Sequence, residues 1–392
     1  MTKVINIFPS LMIIVLGITA CSKMEDPVKP FIAGGEIIYA TKLDSLKSFS
    51  GRNRALFTWE LPANHATEKF MAFWNNNKDS IELPFKHLQG KVYQAEIKNL
   101  EEATYLFDIY AFDKSGNKSI KTLTTVNVYG ERYESSLLNR ILSSARVDVN
   151  NQLRVVFAKA EEMNVDTEIT YTNIDSKQKQ VRLKKMESEI IISDWNIGTA
   201  VTYKSTFKPT ADAVDTFYVN QAEKMKITKD ITAQYLKNFQ QPFLPVQQAN
   251  RFRDPLNWSV NAAVQNHSGM GGWSTDDNTV LNMESGWGST SIVNGKMFQT
   301  TTLPKGEYRL QVELGAFGLG SSTVKIAAVP GQLMPDFDSN KQVPGAYGSI
   351  NLELKSFDFT VSNDGPVTLG FIANMTGDQY WRVRKIMLYR NY

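Results

Sequence analysis

The sequence predicts an all-β chain, built as two tandem sandwiches followed by a larger sandwich-type module. Three observations carry this. Between residues 35 and 130 apolar and polar residues alternate in short runs separated by turn signals, which is the period of half-buried strands. From about residue 136 to 227 the same texture returns. From Arg251 to Tyr392 the chain is Gly-rich and strand-like again, and carries Trp258, Trp273, Trp287 and Trp381 out of 7 tryptophans.

In the first block, Phe57, Trp59 and Leu61 fall on one face while Thr58 and Glu60 fall on the other, and Pro62 closes the strand. A second strand over 69–74 ends in Trp74, and Asn75-Asn76-Asn77-Lys78-Asp79 supplies a turn before a strand over 80–83. Further on, Tyr105, Phe107, Ile109 and Ala111 share a face, with a turn at 113–117 behind them. Inward-facing large aromatics carry most sandwich burial, so Trp59 and Trp74 read as core and not as ligand platforms. The second block echoes the first: residues 196–203 resemble 99–105 with one residue inserted, and 153–157 stands where the Trp59 strand stood. Residues 230–239 read as a short helical or irregular connector. Gln240-Gln241-Pro242-Phe243-Leu244-Pro245 reads as an extended linker. The divisions are a leader over 1–20, a tether over 21–34, sandwiches over 35–134 and 135–229, a linker over 230–250 and the last module over 251–392.

Composition excludes several classes of function. With 42% hydrophobic residues the chain can build real cores. Lys and Arg number 43 against 40 Asp and Glu, so there is no general pull on nucleic acid. Three His and one Cys cannot supply a Cys/His zinc cluster or a disulfide framework.

The single Cys has a telling place. Lys3 precedes an apolar stretch over 4–20 that is too short and too interrupted to span a bilayer. It ends in Ile18-Thr19-Ala20-Cys21, which resembles the lipobox of bacterial lipoproteins. The resemblance implies cleavage before Cys21 and acylation of its thiol, an anchor stable because more than one acyl chain is buried. Ser22-Lys23-Met24-Glu25-Asp26 resembles the acidic surface-export signal of Bacteroidota-type lipoproteins, which implies an outer-membrane location facing the cell exterior.

Three further resemblances bear on the modules. The strand with Tyr105 resembles the sixth strand of a fibronectin type III domain, with Tyr105 in the place of the tyrosine corner. Gly34-Gly35-Glu36-Ile37-Ile38-Tyr39, Gly51-Arg52-Asn53-Arg54, Val128-Tyr129-Gly130-Glu131-Arg132-Tyr133 and Leu137-Leu138-Asn139-Arg140 resemble an uncharacterised family of tandem fibronectin-like domains in such lipoproteins. In the last module, 298–312 reads as a hairpin of strand, Leu-Pro-x-Gly turn and strand. It resembles the galactose-binding-like (discoidin-like) jelly roll, and 380–389 resembles its closing strand. Strands over 323–329, 356–361 and 367–372 supply the rest.

That resemblance implies a ligand, often a carbohydrate, held in loops at one end of the sandwich. A sugar offers an apolar C–H face and a rim of hydroxyls, so its site needs an aromatic plate with polar groups nearby. The loop over 266–278 holds Asn266, His267, Trp273, Asp276 and Asp277, the loop over 284–288 holds Trp287, and Gly345-Ala346-Tyr347-Gly348 is a further aromatic loop. Trp273, behind two glycines, reads equally as a ligand contact or as part of the core, whereas Trp258 and Trp381 read as core. The fold resemblance also admits a structural calcium held by loop acids, with the ligands left unassigned.

Catalysis finds little support. A glycosidase needs two carboxylates about 5 to 9.5 Å apart across a cleft. Asp276 and Asp277 are adjacent and diverge if extended, Asp336 and Asp338 have no evident partner, and no histidine stands in a nucleophile or metal context. In overall plan the chain resembles the accessory glycan-binding lipoproteins of starch-utilisation-type systems. This implies a non-catalytic protein without a cofactor, binding oligo- or polysaccharide beside other outer-membrane glycan-uptake proteins. Two other readings stay open: an adhesive or structural lipoprotein whose last module binds a protein, and a glycan-processing enzyme using the Asp276 region.

Overall fold

The computed structural model describes residues 39–247 and 250–392, so the leader, Cys21, the tether and most of the Gly34 to Tyr39 motif lie outside the described residues. The chain is nearly all β, with 53% strand and 5% helix. It divides into two compact units. One comprises the described residues up to Leu137 together with Lys208–Phe217, the other Leu138–Phe207 and Tyr218–Tyr392.

The first unit is built from β1 (Asp44–Ser50), β2 (Arg54–Glu60), β3 (Thr67–Trp74), β4 (Asp79–Glu82), β5 (Lys86–His87), β6 (Val92–Lys98), β7 (Ala103–Asp113) and β8 (Thr122–Val128), then the short helix α1 (Glu131–Ser136). Two antiparallel sheets, β1-β2-β6-β5 and β4-β3-β7-β8, face each other in a fibronectin III-like sandwich. The alternation in β2 has the predicted sense: Phe57, Trp59 and Leu61 are buried and Glu60 is exposed. Trp59 packs edge-on against Phe70 with ring centroids 4.7 Å apart. Each such buried side chain contributes about 1.5–3 kcal/mol. Tyr105 makes the expected corner, its hydroxyl donating to the Glu101 carbonyl at 3.1 Å. Trp74 is partly buried against this core, with its ring 5.6 Å from Phe107.

The Gly51-Arg52-Asn53-Arg54 motif is a clamp for the segment Lys208–Phe217. Asp215 accepts from the Arg52 backbone N–H at 2.7 Å and from Arg54 Nε and Nη2 at 2.8 and 2.5 Å. Hydrogen bonding to Arg54 holds the Asp215 carboxyl below the usual carboxylate range. Arg52 forks onto Glu134 of α1 at 2.6 and 2.8 Å and lies over the Phe217 ring at 4.4 Å. Gly51 is required because a Cβ there would stand 2.8 Å from both Asp215 and Val214 side-chain atoms.

The second unit begins with β9 (Leu142–Val147), β10 (Leu153–Phe157), β11 (Asn164–Thr172), β12 (Gln178–Lys184), β13 (Glu189–Ile192), β14 (Thr202–Phe207), β15 (Phe217–Tyr218), β16 (Glu223–Lys224) and β17 (Thr228–Asp230). Sheet β13-β10-β9 packs on β12-β11-β14 around Leu153, Val155, Ile169, Trp195 and Tyr203. The echo of the first sandwich stops at Tyr203, whose hydroxyl donates to Glu223 Oε2 at 2.7 Å instead of closing a corner. β17 runs parallel to β9 and antiparallel to the last strand of the chain, so this sandwich and the last module share one sheet.

The last module adds the four-residue helix α2 (Thr232–Tyr235), then β18 (Phe252–Arg253), β19 (Ser259–Val260), β20 (Trp273–Ser274), β21 (Val280–Ser285), β22 (Ile292–Leu303), β23 (Gly306–Gly318), β24 (Thr323–Pro330), β25 (Gly348–Asn351), β26 (Ser356–Val361), β27 (Gly365–Met375) and β28 (Gln379–Asn391). Sheet β19-β22-β27-β24-β25 faces a sheet in which β28 pairs with β23 on one edge and with β21 and β17 on the other; β26 lies beyond β23, and β20 and β18 beyond β21. Met297, Phe371 and Ile326 from the first sheet meet Leu281, Leu310 and Trp381 from the second.

Two expectations are corrected here. The Leu-Pro-x-Gly turn does not close a hairpin: β22 pairs with β27 and β23 with β28, so the turn carries the chain between the two sheets. Tyr308 pins this crossing by donating to the Pro304 carbonyl at 2.6 Å, four residues back as at Tyr105. Residues 230–247 are no free linker, because Ile231, Leu236 and Phe243 are buried in the module's core, and Gln241 N–H donates to the Arg384 carbonyl at 2.9 Å. Polar residues and prolines masked three apolar anchors.

Candidate functional site

The site grows from an unusual strand. In β21, Leu281 and Met283 enter the core, so by alternation Asn282 and Glu284 sit on the outer face, where an edge sheet is normally wet. Both are nevertheless buried, Asn282 being 1% exposed. A layer of charged side chains from the 275–279 turn and from β28 covers them. Arg251 reaches Asp276 at 3.3 Å and Glu284 at 3.2 Å, and Arg382 reaches Asp276 at 3.1 Å. Arg384 forks onto Asp277 at 2.8 and 2.9 Å, which holds that carboxyl below its usual range. Burial pushes the Glu284 carboxyl up, against the pull of Arg251. The side-chain oxygen and nitrogen of Asn282 and the Ser274 hydroxyl are buried without partners.

Beside this layer opens a cleft of about 580 Å³, lined among others by Arg251, Phe252, Arg253, Asn266, His267 and Trp287. His267 stacks on Phe252 with ring centroids 3.8 Å apart and planes within 7°, and its Nδ1 pairs with the Ser289 hydroxyl at 2.9 Å. Burial lowers its pKa and so favours the neutral imidazole. Asn266 ties two loops together by donating to the carbonyls of Glu284 and Thr290, both at 2.8 Å. Trp287 has φ 47° between Gly286 at 80° and Gly288 at 93°, a left-handed run that turns its ring outward, 57% exposed. Its N–H donates to Asp378 at 2.8 Å, and its ring lies 6.3 Å from that of Tyr380.

Of the residues the sequence singled out, Asn266, His267 and Trp287 meet at this cleft. Trp273 does not: it is 2% exposed, belongs to the core, and donates Nε1–H to the Phe243 carbonyl at 2.7 Å. The glycines before it serve close packing, since a Cβ on Gly271 would stand 1.9 Å from the Val264 carbonyl oxygen. Asp276 and Asp277 are held by arginines and do not line the cleft. Tyr347 packs partly buried against the core beside β25, its N–H bonded to the Ala328 carbonyl, and is no part of the cleft. Sequence reasoning missed Arg251, Phe252, Arg253, Glu284 and Arg382. Arg251 and Arg253 stand in or beside the two-residue β18, so no period in the sequence marked them.

Calcium does not fit these acids. Among the described residues no three His, Cys, Asp or Glu side chains gather at a metal site. Asp276 and Asp277 are taken by arginines, Asp336 pairs with Lys296 at 2.6 Å, and Asp338 accepts from the amides of Asn340 and Gln342 in its own loop.

A family model for a domain of unknown function, DUF4998, matches residues 21–217, and a second, DUF5013, also a domain of unknown function, matches residues 237–370. No curated protein matches the chain. Among solved structures, the FN1–FN3 domains of chicken CNTN1 are 10% identical with a TM-score of 0.30, over 48% of this chain and 68% of that one. A two-domain fibronectin type III segment of chicken tenascin is 11% identical with a TM-score of 0.20, over 47% of this chain and 99% of that one.

Proposed function

As the chain belongs to the DUF4998 family, whose function is unknown, we propose that it is a lipid-anchored outer-membrane protein that captures glycan at the Trp287 cleft without chemically altering it. The observation that carries this reading is Trp287 itself: a large aromatic side chain left 57% exposed on a left-handed backbone, on the rim of a polar cleft. An indole left half in water forgoes part of the about 1.5–3 kcal/mol that full burial of a large apolar side chain brings, and a flat ligand stacked on it recovers that part. A pyranose presents such an apolar face, and the polar side chains of Asn250, Ser268 and Ser289 line the same cleft for its hydroxyls.

Anchoring rests on the lipobox-like Ile18-Thr19-Ala20-Cys21; the DUF4998 match begins at this Cys. Cys21→Ala is expected to release the protein from the membrane fraction, and unchanged partitioning refutes the anchor. The two fibronectin III-like sandwiches then act as spacer, a fold consistent with an adhesive or structural role. The non-catalytic reading is supported by the placement of the carboxylates. Glu284, with its raised pKa, and Asp276 share Arg251, but Glu284 is buried and neither lines the cleft. An enzyme would release reducing ends from bound glycan, and Glu284→Gln would abolish that release.

The test of binding is affinity electrophoresis and calorimetry of the full chain over a panel of polysaccharides. Retardation that Trp287→Ala removes is the expected result. A chain that binds none of the panel, but is captured through the same cleft by a protein, would instead support the adhesive reading.

A further inference from the structure

Resting on the reading that the Trp287 cleft takes a saccharide, we propose that its ligand is acidic, a carboxylate or sulfate borne on the sugar and received by the guanidinium of Arg253. The wall of the cleft holds two arginines and a histidine, and no Asp or Glu among the described residues lines it. The other arginines of this face are matched: Arg251 and Arg382 by Asp276, Arg251 also by Glu284, and Arg384 by Asp277.

Arg253 has no such match. Among the described residues no carboxylate forms an ion pair with it; its Nη1 donates to the Met270 thioether, and its Nε is buried with no partner. Asp254, next along the chain, is engaged by Gln265 at 2.6 Å and by the Gly271 N–H at 3.2 Å. A thioether is a weak acceptor, and a partly buried charge without a counter-ion is costly. An anionic ligand supplies that counter-ion, so the cost becomes affinity upon binding.

The geometry of the residue suits the task. Arg253 stands in β18, held by its register with Trp273 of β20, which is itself fixed in the core. Its stem is therefore placed before the ligand arrives. A planar guanidinium matches a carboxylate or sulfate with two parallel hydrogen bonds, which a lysine at the same point could not do. Trp287 then takes the ring face while Arg253 takes the charge.

The experiment is calorimetry of the full chain with three probes: polygalacturonate, a sulfated galactan and a neutral galactan. The expected result is binding of an acidic probe at least roughly tenfold tighter than of the neutral one, weakening as salt is raised. The polyuronate and sulfated arms tell which anion is received. Arg253→Gln is expected to remove that tenfold preference while leaving Trp287-dependent stacking on the neutral probe. Arg253→Lys, which keeps the charge and loses the fork, is expected to fall between. Should Arg253→Gln fail to fold, Arg253→Lys decides by whether the preference for the acidic probe falls. Trp287-dependent binding without preference for the acidic probes, or an acidic preference indifferent to Arg253, overturns this inference and leaves the saccharide reading standing. Binding of no probe, with Trp287→Ala silent, overturns both.

Discussion

Two tryptophans of the last module sit beside glycines, and their fates are opposite. Trp273 follows Gly271 and Gly272 and is buried; Trp287 lies between Gly286 and Gly288 and is exposed. In the first case the glycines let backbones approach: a Cβ on Gly271 would strike the Val264 carbonyl, and one on Gly272 would meet Pro255 at 2.9 Å. In the second, Trp287 itself has positive φ, and although a Cβ on Gly286 would meet the Asp378 backbone at 2.7 Å, one on Gly288 would meet nothing within 4 Å. A glycine beside an aromatic therefore has two meanings. It can make room for a neighbour's backbone, or it can turn the aromatic out.

The comparison is most sharply broken at Trp273. Trp273→Ala is expected to destabilise the second unit by about 3–5 kcal/mol, as for other buried aromatic truncations, in denaturant titration. A loss under 1 kcal/mol would mean that the ring is not core. At Gly288, an alanine at φ 93° is expected to cost about 1–2 kcal/mol, and because no contact is lost, the thermal midpoint should recover with Asn at the same position. If Gly288→Ala instead costs as much as Trp273→Ala, the loop is packed and the contrast fails.

A smaller effect concerns His267. Burial lowers its pKa in the fold, so the unfolded chain takes up the proton first as pH falls through the ordinary histidine value of about 6.5. Its contribution to stability is thus present above that pH and is lost below it, until the folded form also protonates. Glu284 acts in the opposite sense nearer the carboxylate range, where its raised pKa lets the folded state hold the extra proton. Denaturation midpoints between pH 7.5 and 5.5 should fall for the unaltered chain and fall less for His267→Gln. Equal slopes would show that the imidazole titrates freely. Smallest of all, Lys226→Ala removes an exposed pair with Asp358 at 2.9 Å and is expected to change stability by less than about 1 kcal/mol.

What the sequence showed and what it hid divide along physical lines. The face of β2 and the corner at Tyr105 were legible because each depends on residues a few positions apart. The Gly51-Arg52-Asn53-Arg54 motif was visible, but its partner Asp215 lies 161 residues beyond Arg54. The same holds at the site. Asn266, His267 and Trp287 were found from loop composition, whereas Arg251 and Arg253 stand in or beside a two-residue strand too short to show any period. The pairing of Arg384 with Asp277 spans 107 residues, so local pattern could not reveal that the loop acids were already taken. The turn at Pro304 had the right local chemistry, yet which sheet each flanking strand joins is decided by long-range register.

The central claim is that Trp287 is exposed in order to hold a sugar. The most direct measurement is a paired one on Trp287→Ala in the full chain: its thermal midpoint and its affinity for the tightest-binding polysaccharide of the panel. The prediction is a midpoint within about 2 °C of the unaltered chain, since an exposed side chain supports little of the fold, and an affinity at least roughly tenfold weaker. An unchanged affinity beside an unchanged midpoint would contradict the claim.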